Sequence, residues 1–127
     1  PEARRRRVRI TIENREGVGR RPELLVNLIR AIDPSWVGAC YDFGHGAPER
    51  YYDAARMLAP YAFHVHAKSR AFDPRGEETS IEYGRVLSIL RFAYYVGSLS
   101  IVYMCEDDPL EGIRKTRDLV RRHWRAY

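Results

Sequence analysis

AFHVHAKSR (residues 62–70) alternates apolar and polar side chains, with Phe63, Val65 and Ala67 at one parity and His64, His66 and Lys68 at the other. A period of two over this length is the signature of a β-strand whose two faces meet different surroundings. The strand is bracketed by helical patterns. APERYYDAARMLAP (47–60) reads as a helix entered and left through proline. On the far side, the loop RAFDPRGEE leads to Thr79-Ser80-Ile81-Glu82, the pattern of a capping box. It predicts a helix with Tyr83, Val86, Leu87, Leu90 and Ala93 along its buried stripe.

Working outward, the same alternation repeats. VRITIE (8–13) reads as a strand, followed by the helix PELLVNLIRAI (22–32) with Pro22 in its first turn. VGACYDFGHG is a strand running into a glycine turn. LSIVYM (99–104) is the last strand, and PLEGIRKTRDLVRRHW (109–124) the last helix, with Asp107 and Asp108 at its start and Arg121 and Arg122 near its end as the helix dipole favours. The order is (βα)4, which predicts an α/β fold with a parallel sheet. Residues 1–7 read as a basic N-terminal extension and 8–127 as a single (βα)4 domain.

Composition sets the outer bounds. With 127 residues, 45% apolar and 31% charged, the chain is sized for one ordinary core. No apolar run approaches a membrane span and no signal-peptide pattern opens the chain, so a cytoplasmic location is expected and no membrane partner. Cys40 and Cys105 fit neither a CxxC site nor a disulfide framework, in keeping with a reducing compartment. The net charge of +5 is concentrated in RRRR (4–7) and RDLVRRHWR near the C-terminus. Without interleaved aromatic residues these runs read as solvated ends, not as a nucleic-acid surface.

Strand parity locates a site. One face is apolar in all four strands: Val8, Ile10 and Ile12; Val37, Ala39 and Tyr41; Phe63, Val65 and Ala67; Leu99, Ile101 and Tyr103. The other face carries Glu13, Asp42 and His66 at or near the C-terminal ends of three consecutive strands, where parallel α/β folds build their active sites. Two carboxylates and an imidazole there suit a divalent metal, with Mn²⁺, Mg²⁺ or Co²⁺ favoured over Zn²⁺ by the oxygen-rich donor set. His64, deeper on the same face, reads as a structural histidine of the floor.

The motifs ITIEN, GACYDFGHG, HVHAKS, FDPRGEETSIEYGRVL and GSLSIVYMCEDDPLEGIRKTRDLV, in this order, resemble the C-terminal half of a xylose isomerase-like TIM barrel. That superfamily contains the sugar and sugar phosphate isomerases and epimerases. The resemblance implies half of a (β/α)8 barrel, with metal ligands on Glu13, Asp42 and His66 and the catalytic base on Glu13. It further implies that His45 and Arg70 contact a sugar or sugar phosphate, and that Lys68 binds its phosphate or carboxylate.

Two departures from the family pattern follow. The last strand reads Leu99-Ser100-Ile101-Val102 where the family commonly has LSIE, so a second glutamate, ligand and acid/base, is replaced by Val102. Glu106 shares its parity but lies roughly 13 Å further along an extended strand, too far to replace it. Four βα units are also half of a barrel, which has eight in about 250 residues. This implies a homo-oligomer or a missing N-terminal half-barrel. The reading is a metal-dependent sugar isomerase or epimerase domain whose activity Val102 puts in question. Its alternative is a noncatalytic half-barrel that self-associates or binds a partner.

Overall fold

The computed structural model describes residues 2–105 and 107–124. Glu106, weighed above as a replacement for Val102, lies outside the described residues. After a helical turn α1 (Glu2–Arg5), the chain runs β1 (Ile10–Glu13), α2 (Pro22–Ile32), β2 (Val37–Asp42), α3 (Tyr51–Leu58), β3 (Ala62–Ser69), α4 (Tyr83–Phe92), β4 (Ser98–Tyr103) and α5 (Pro109–Trp124). Short 3-10 turns, Gly17–Arg20 and Pro48–Arg50, precede α2 and α3. Among the described residues no helix is long and apolar enough to cross a membrane.

The strands form one parallel sheet in the order β1-β2-β3-β4. Each strand pairs with its successor, which is the winding of a barrel wall; a doubly wound sheet would reverse order at a switch point. One core lies between sheet and helices: Leu25, Val26 and Ile29 of α2, Ala39 and Tyr41 of β2, Val65 and Ala67 of β3, Val86, Leu87 and Leu90 of α4, and Leu119 of α5. The expected (βα)4 half-barrel is therefore present, with the predicted apolar parity turned to the helices in β2 and the upper part of β3. At the edge strand β1 the pattern is only half used: Ile12 packs against the core, while Ile10 is 47% exposed because no element covers it.

The parity expected for Phe63 is overturned. Ala39 pairs with Ala62 but Cys40 pairs with His64, leaving Phe63 as an extra residue in β3. Its ring lies against Gly38, where an added Cβ would stand 2.6 Å from it, and the Arg9 guanidinium covers it 4.6 Å from the ring centre. Phe63 thus belongs to the floor of the inner face, beside His64, which bonds Ser100 Oγ at 2.9 Å as a structural histidine would.

The capping box is also corrected. Helix α4 starts at Tyr83, and the Glu82 side chain makes no cap. Glu78, buried in the preceding loop, does the organising: its carboxylate accepts from the amides of Ser80 (2.6 Å), Ile81 (2.5 Å) and Arg70 (3.2 Å) and from the Ser80 hydroxyl. The last helix is capped as expected, Asp108 Oδ1 accepting from Leu110 N–H at 2.9 Å. Removing the loop carboxylate leaves three amides without their acceptor, so Glu78→Ala is expected to lower the unfolding free energy by about 1–3 kcal/mol in urea titrations. An unchanged urea midpoint would refute that role.

Candidate functional site

The site is built from the ends of β1, β2 and β3. Strand β1 stops at Glu13, and the next residue, buried Asn14, continues the pairing with its side chain. Asn14 Oδ1 accepts from Asp42 N–H at 2.6 Å, and Asn14 Nδ2 donates to the Asp42 carbonyl at 3.1 Å. This clamp fixes the backbone from which the Asp42 carboxylate projects. The turn Gly17–Arg20 closes directly over the end of β1; a Cβ at Gly19 would collide with the Glu13 carbonyl oxygen.

Around Asp42 the charged groups converge. Its Oδ2 takes the Lys68 ammonium at 2.8 Å, with His45 Nε2 at 3.3 Å and His66 Nδ1 at 3.6 Å. His66 Nδ1 lies 3.2 Å from Glu13 Oε1, and its Nε2 faces Cys40 Sγ at 3.5 Å. Lys68 Nζ also lies 2.5 Å from His45 Nε2. One ligand atom each from Glu13, Asp42 and His45 falls within 4.8 Å of the others, a spacing open to a metal ion.

Protonation follows from this crowding. Burial raises the Asp42 carboxyl and the Glu13 carboxylate raises it further, against the opposing Lys68 ammonium. Burial acts to raise Glu13 too, but hydrogen bonding with Asp42 and the His66 imidazole bring it below its ordinary value. Burial, with the Lys68 and Arg15 charges, lowers His45 despite the nearby carboxylates, keeping the imidazole in the neutral form that ligates metal. Burial and the two carboxylates push the Cys40 thiol up to about 11, so it is no nucleophile at neutral pH.

The donor set fits a cation. Asp42 Oδ1 is buried without a hydrogen-bond donor, and a Glu13 carboxylate oxygen lies within 4.8 Å of an Asp42 oxygen, a closeness of like charges that a cation between them would relieve.

Of the residues singled out in the sequence, Glu13, Asp42, His45, His66 and Lys68 are brought into one cluster. His45 stands at the ligand positions beside Asp42, and Lys68 is turned to Asp42 and His45, closed off from solvent. Arg70 sits at the rim, one guanidinium nitrogen 3.4 Å from the Gly44 carbonyl oxygen. Val102 pairs with Lys68 across β3 and β4, while Ser100 pairs with His66. Asn14 was missed; its only sequence signal is an amide placed just past a strand end.

A family model described as xylose isomerase-like TIM barrel matches residues 1–123. The chain belongs to this family. Among curated proteins, the 3'-dehydrocarminate deglycosidase alpha subunit of Microbacterium sp is 34% identical over 85 residues, which is 63% of this chain and 23% of that protein. The matched segment therefore spans about a quarter of the relative's length.

Truncating Lys68 isolates a buried carboxylate. Lys68→Met is expected to cost about 3–5 kcal/mol at neutral pH. Because Asp42 titrates above its unfolded value, its neutral form is favoured below that range and stability falls as pH rises through the folded value. The deficit of Lys68→Met should accordingly shrink in acid and grow with pH, and a pH-independent deficit in denaturant titrations would contradict the pairing.

Proposed function

We propose that this chain is a divalent-metal-dependent, sugar isomerase- or epimerase-like domain in which Glu13 moves a proton at the carbon next to a sugar carbonyl. The observation that carries the reading is the convergence of Glu13, Asp42 and His45, one ligand atom of each within 4.8 Å of the others, at the C-terminal ends of the strands. Glu13, Asp42 and His45 or His66 would hold the cation, which when bound supplies polarisation of the carbonyl oxygen; Mn²⁺, Mg²⁺ and Co²⁺ suit the oxygen donors better than Zn²⁺. Glu13, kept ionised by its neighbours, is the base. His45 and Arg70 would orient the sugar hydroxyls, and Asn14 and Lys68 hold Asp42 in place.

A second reading, elimination, is favoured by Val102. Epimerisation needs a proton removed on one face and returned on the other, and the position that would carry the second carboxylate is a valine. Elimination needs one base. Glu13 takes the proton next to the carbonyl, its electron pair forms a carbon–carbon double bond as the bond to the substituent on the adjacent carbon breaks, and the departing group takes a proton from water. The name of the Microbacterium relative describes removal of a sugar from a dehydro compound, and such a step requires a carbonyl separated from the carbon that bears the leaving group by one proton-bearing carbon.

Thermal unfolding with added Mn²⁺ or Co²⁺ tests the site. Either ion is expected to raise Tm by several degrees, the rise disappearing in Glu13→Ala and increasing in Val102→Glu. If neither ion moves Tm in the parent chain, the metal reading fails and the noncatalytic half-barrel is left. Solvent deuterium entering a ketose beside its carbonyl, and its loss in Glu13→Gln, tests the proton transfer. Formation of the epimer by the parent chain would instead exclude the one-face reading.

A further inference from the structure

Between the β1 and β2 loops lies a cavity of about 150 Å³ lined by Asn14, Gly19, Arg20, His45, Gly46 and Arg50, among others. We propose that it is an anion subsite, taking the phosphate or carboxylate group of the sugar on which Glu13 acts. The substrate part of this inference rests on the proton-transfer reading above; the anion binding itself does not.

Position links the cavity to the chemistry. One of its walls belongs to the charged cluster, His45 reaching Asp42 at 3.3 Å, and another, Asn14, follows Glu13 in the chain and bonds the Asp42 backbone.

Charge argues for an anion. Arg20 makes no ion pair among the described residues, so its five donors have solvent or a ligand to serve. Arg50 is paired with the Glu23 carboxylate, so an anion in the cavity would share that guanidinium with Glu23 or displace it. Pro22 opens α2 and Arg50 immediately precedes α3, so the positive ends of two helices flank the same space; their N-caps, Arg21 and Arg50, make no side-chain cap. Gly46 borders open space, where an added Cβ would have nothing within 4 Å.

The test uses inorganic phosphate and acetate as separate probes, titrated into the chain at constant ionic strength while the amide resonances of Gly19 and Gly46 are followed. Saturable shifts with either probe are expected, phosphate or acetate dominance assigning the substituent. Arg20→Gln and Arg50→Gln should each weaken binding about tenfold, since one charged hydrogen-bonded contact is worth about 1.4 kcal/mol or more. Glu23→Gln, which releases Arg50, should tighten it several-fold. Shifts that never saturate, or binding unchanged in both arginine variants, would overturn the subsite. Saturable, arginine-dependent binding in Glu13→Gln supports it even if no deuterium exchange is found, in which case the proton-transfer reading alone falls.

Discussion

The Lys68 ammonium, 2.8 Å from Asp42 Oδ2 and sealed from solvent, is the interaction that the mouth of this half-barrel depends on. A carboxylate so buried would otherwise take up a proton, and burial does raise Asp42. Asp42 ends the middle strand of the three that build the site and Lys68 comes from its neighbour, so the ion pair ties β3 to β2 at the height where the chemistry is expected. Asn14 ties β1 to the same residue from the other side. Asp42 is thus held through its backbone by one neighbour and through its carboxylate by the other, and the remaining oxygen is left free of donors.

That arrangement explains the unequal behaviour of the two carboxyls. Glu13, at a less enclosed position and bonded by His66, titrates low, whereas Asp42 titrates high. Environments that push two acids apart assign them different tasks, one ionised and able to accept a proton, one suited to hold a proton or a cation. The tail of the site is asymmetric in a second way. On the β4 side Val102 pairs with Lys68, so among the described residues the charged groups of the cluster come from β1, β2 and β3 and the loop after β2.

Much of this was legible in the sequence because period-two alternation is a strong signal where one face is buried. Val65 and Ala67, against His66 and Lys68, are placed as their parity requires. Parity failed at Phe63, since an inserted residue leaves no mark in composition. It also promised more burial than β1 receives, because a pattern records which face is apolar and not whether anything covers it. The helix start at Glu82 was misread because Thr-x-x-Glu satisfies the capping pattern, yet Glu78 reaches the loop amides first. Residue types announced Glu13, Asp42 and His66. The clamp by Asn14 and the inward turn of His45 depend on loop paths that side-chain chemistry alone does not specify.

The extra residue in β3 has a consequence for how the strand can change over time. Below it, Phe63 is fitted to Gly38 and Arg9; above it, His66 and Lys68 are fitted to Asp42 and Glu13. The irregularity acts as a joint between two segments of one strand, absorbing small shifts of the lower segment before they reach the upper. Floor and mouth therefore have separate registers against β2, Ala62 facing Ala39 below the irregularity and His66 facing Asp42 above it.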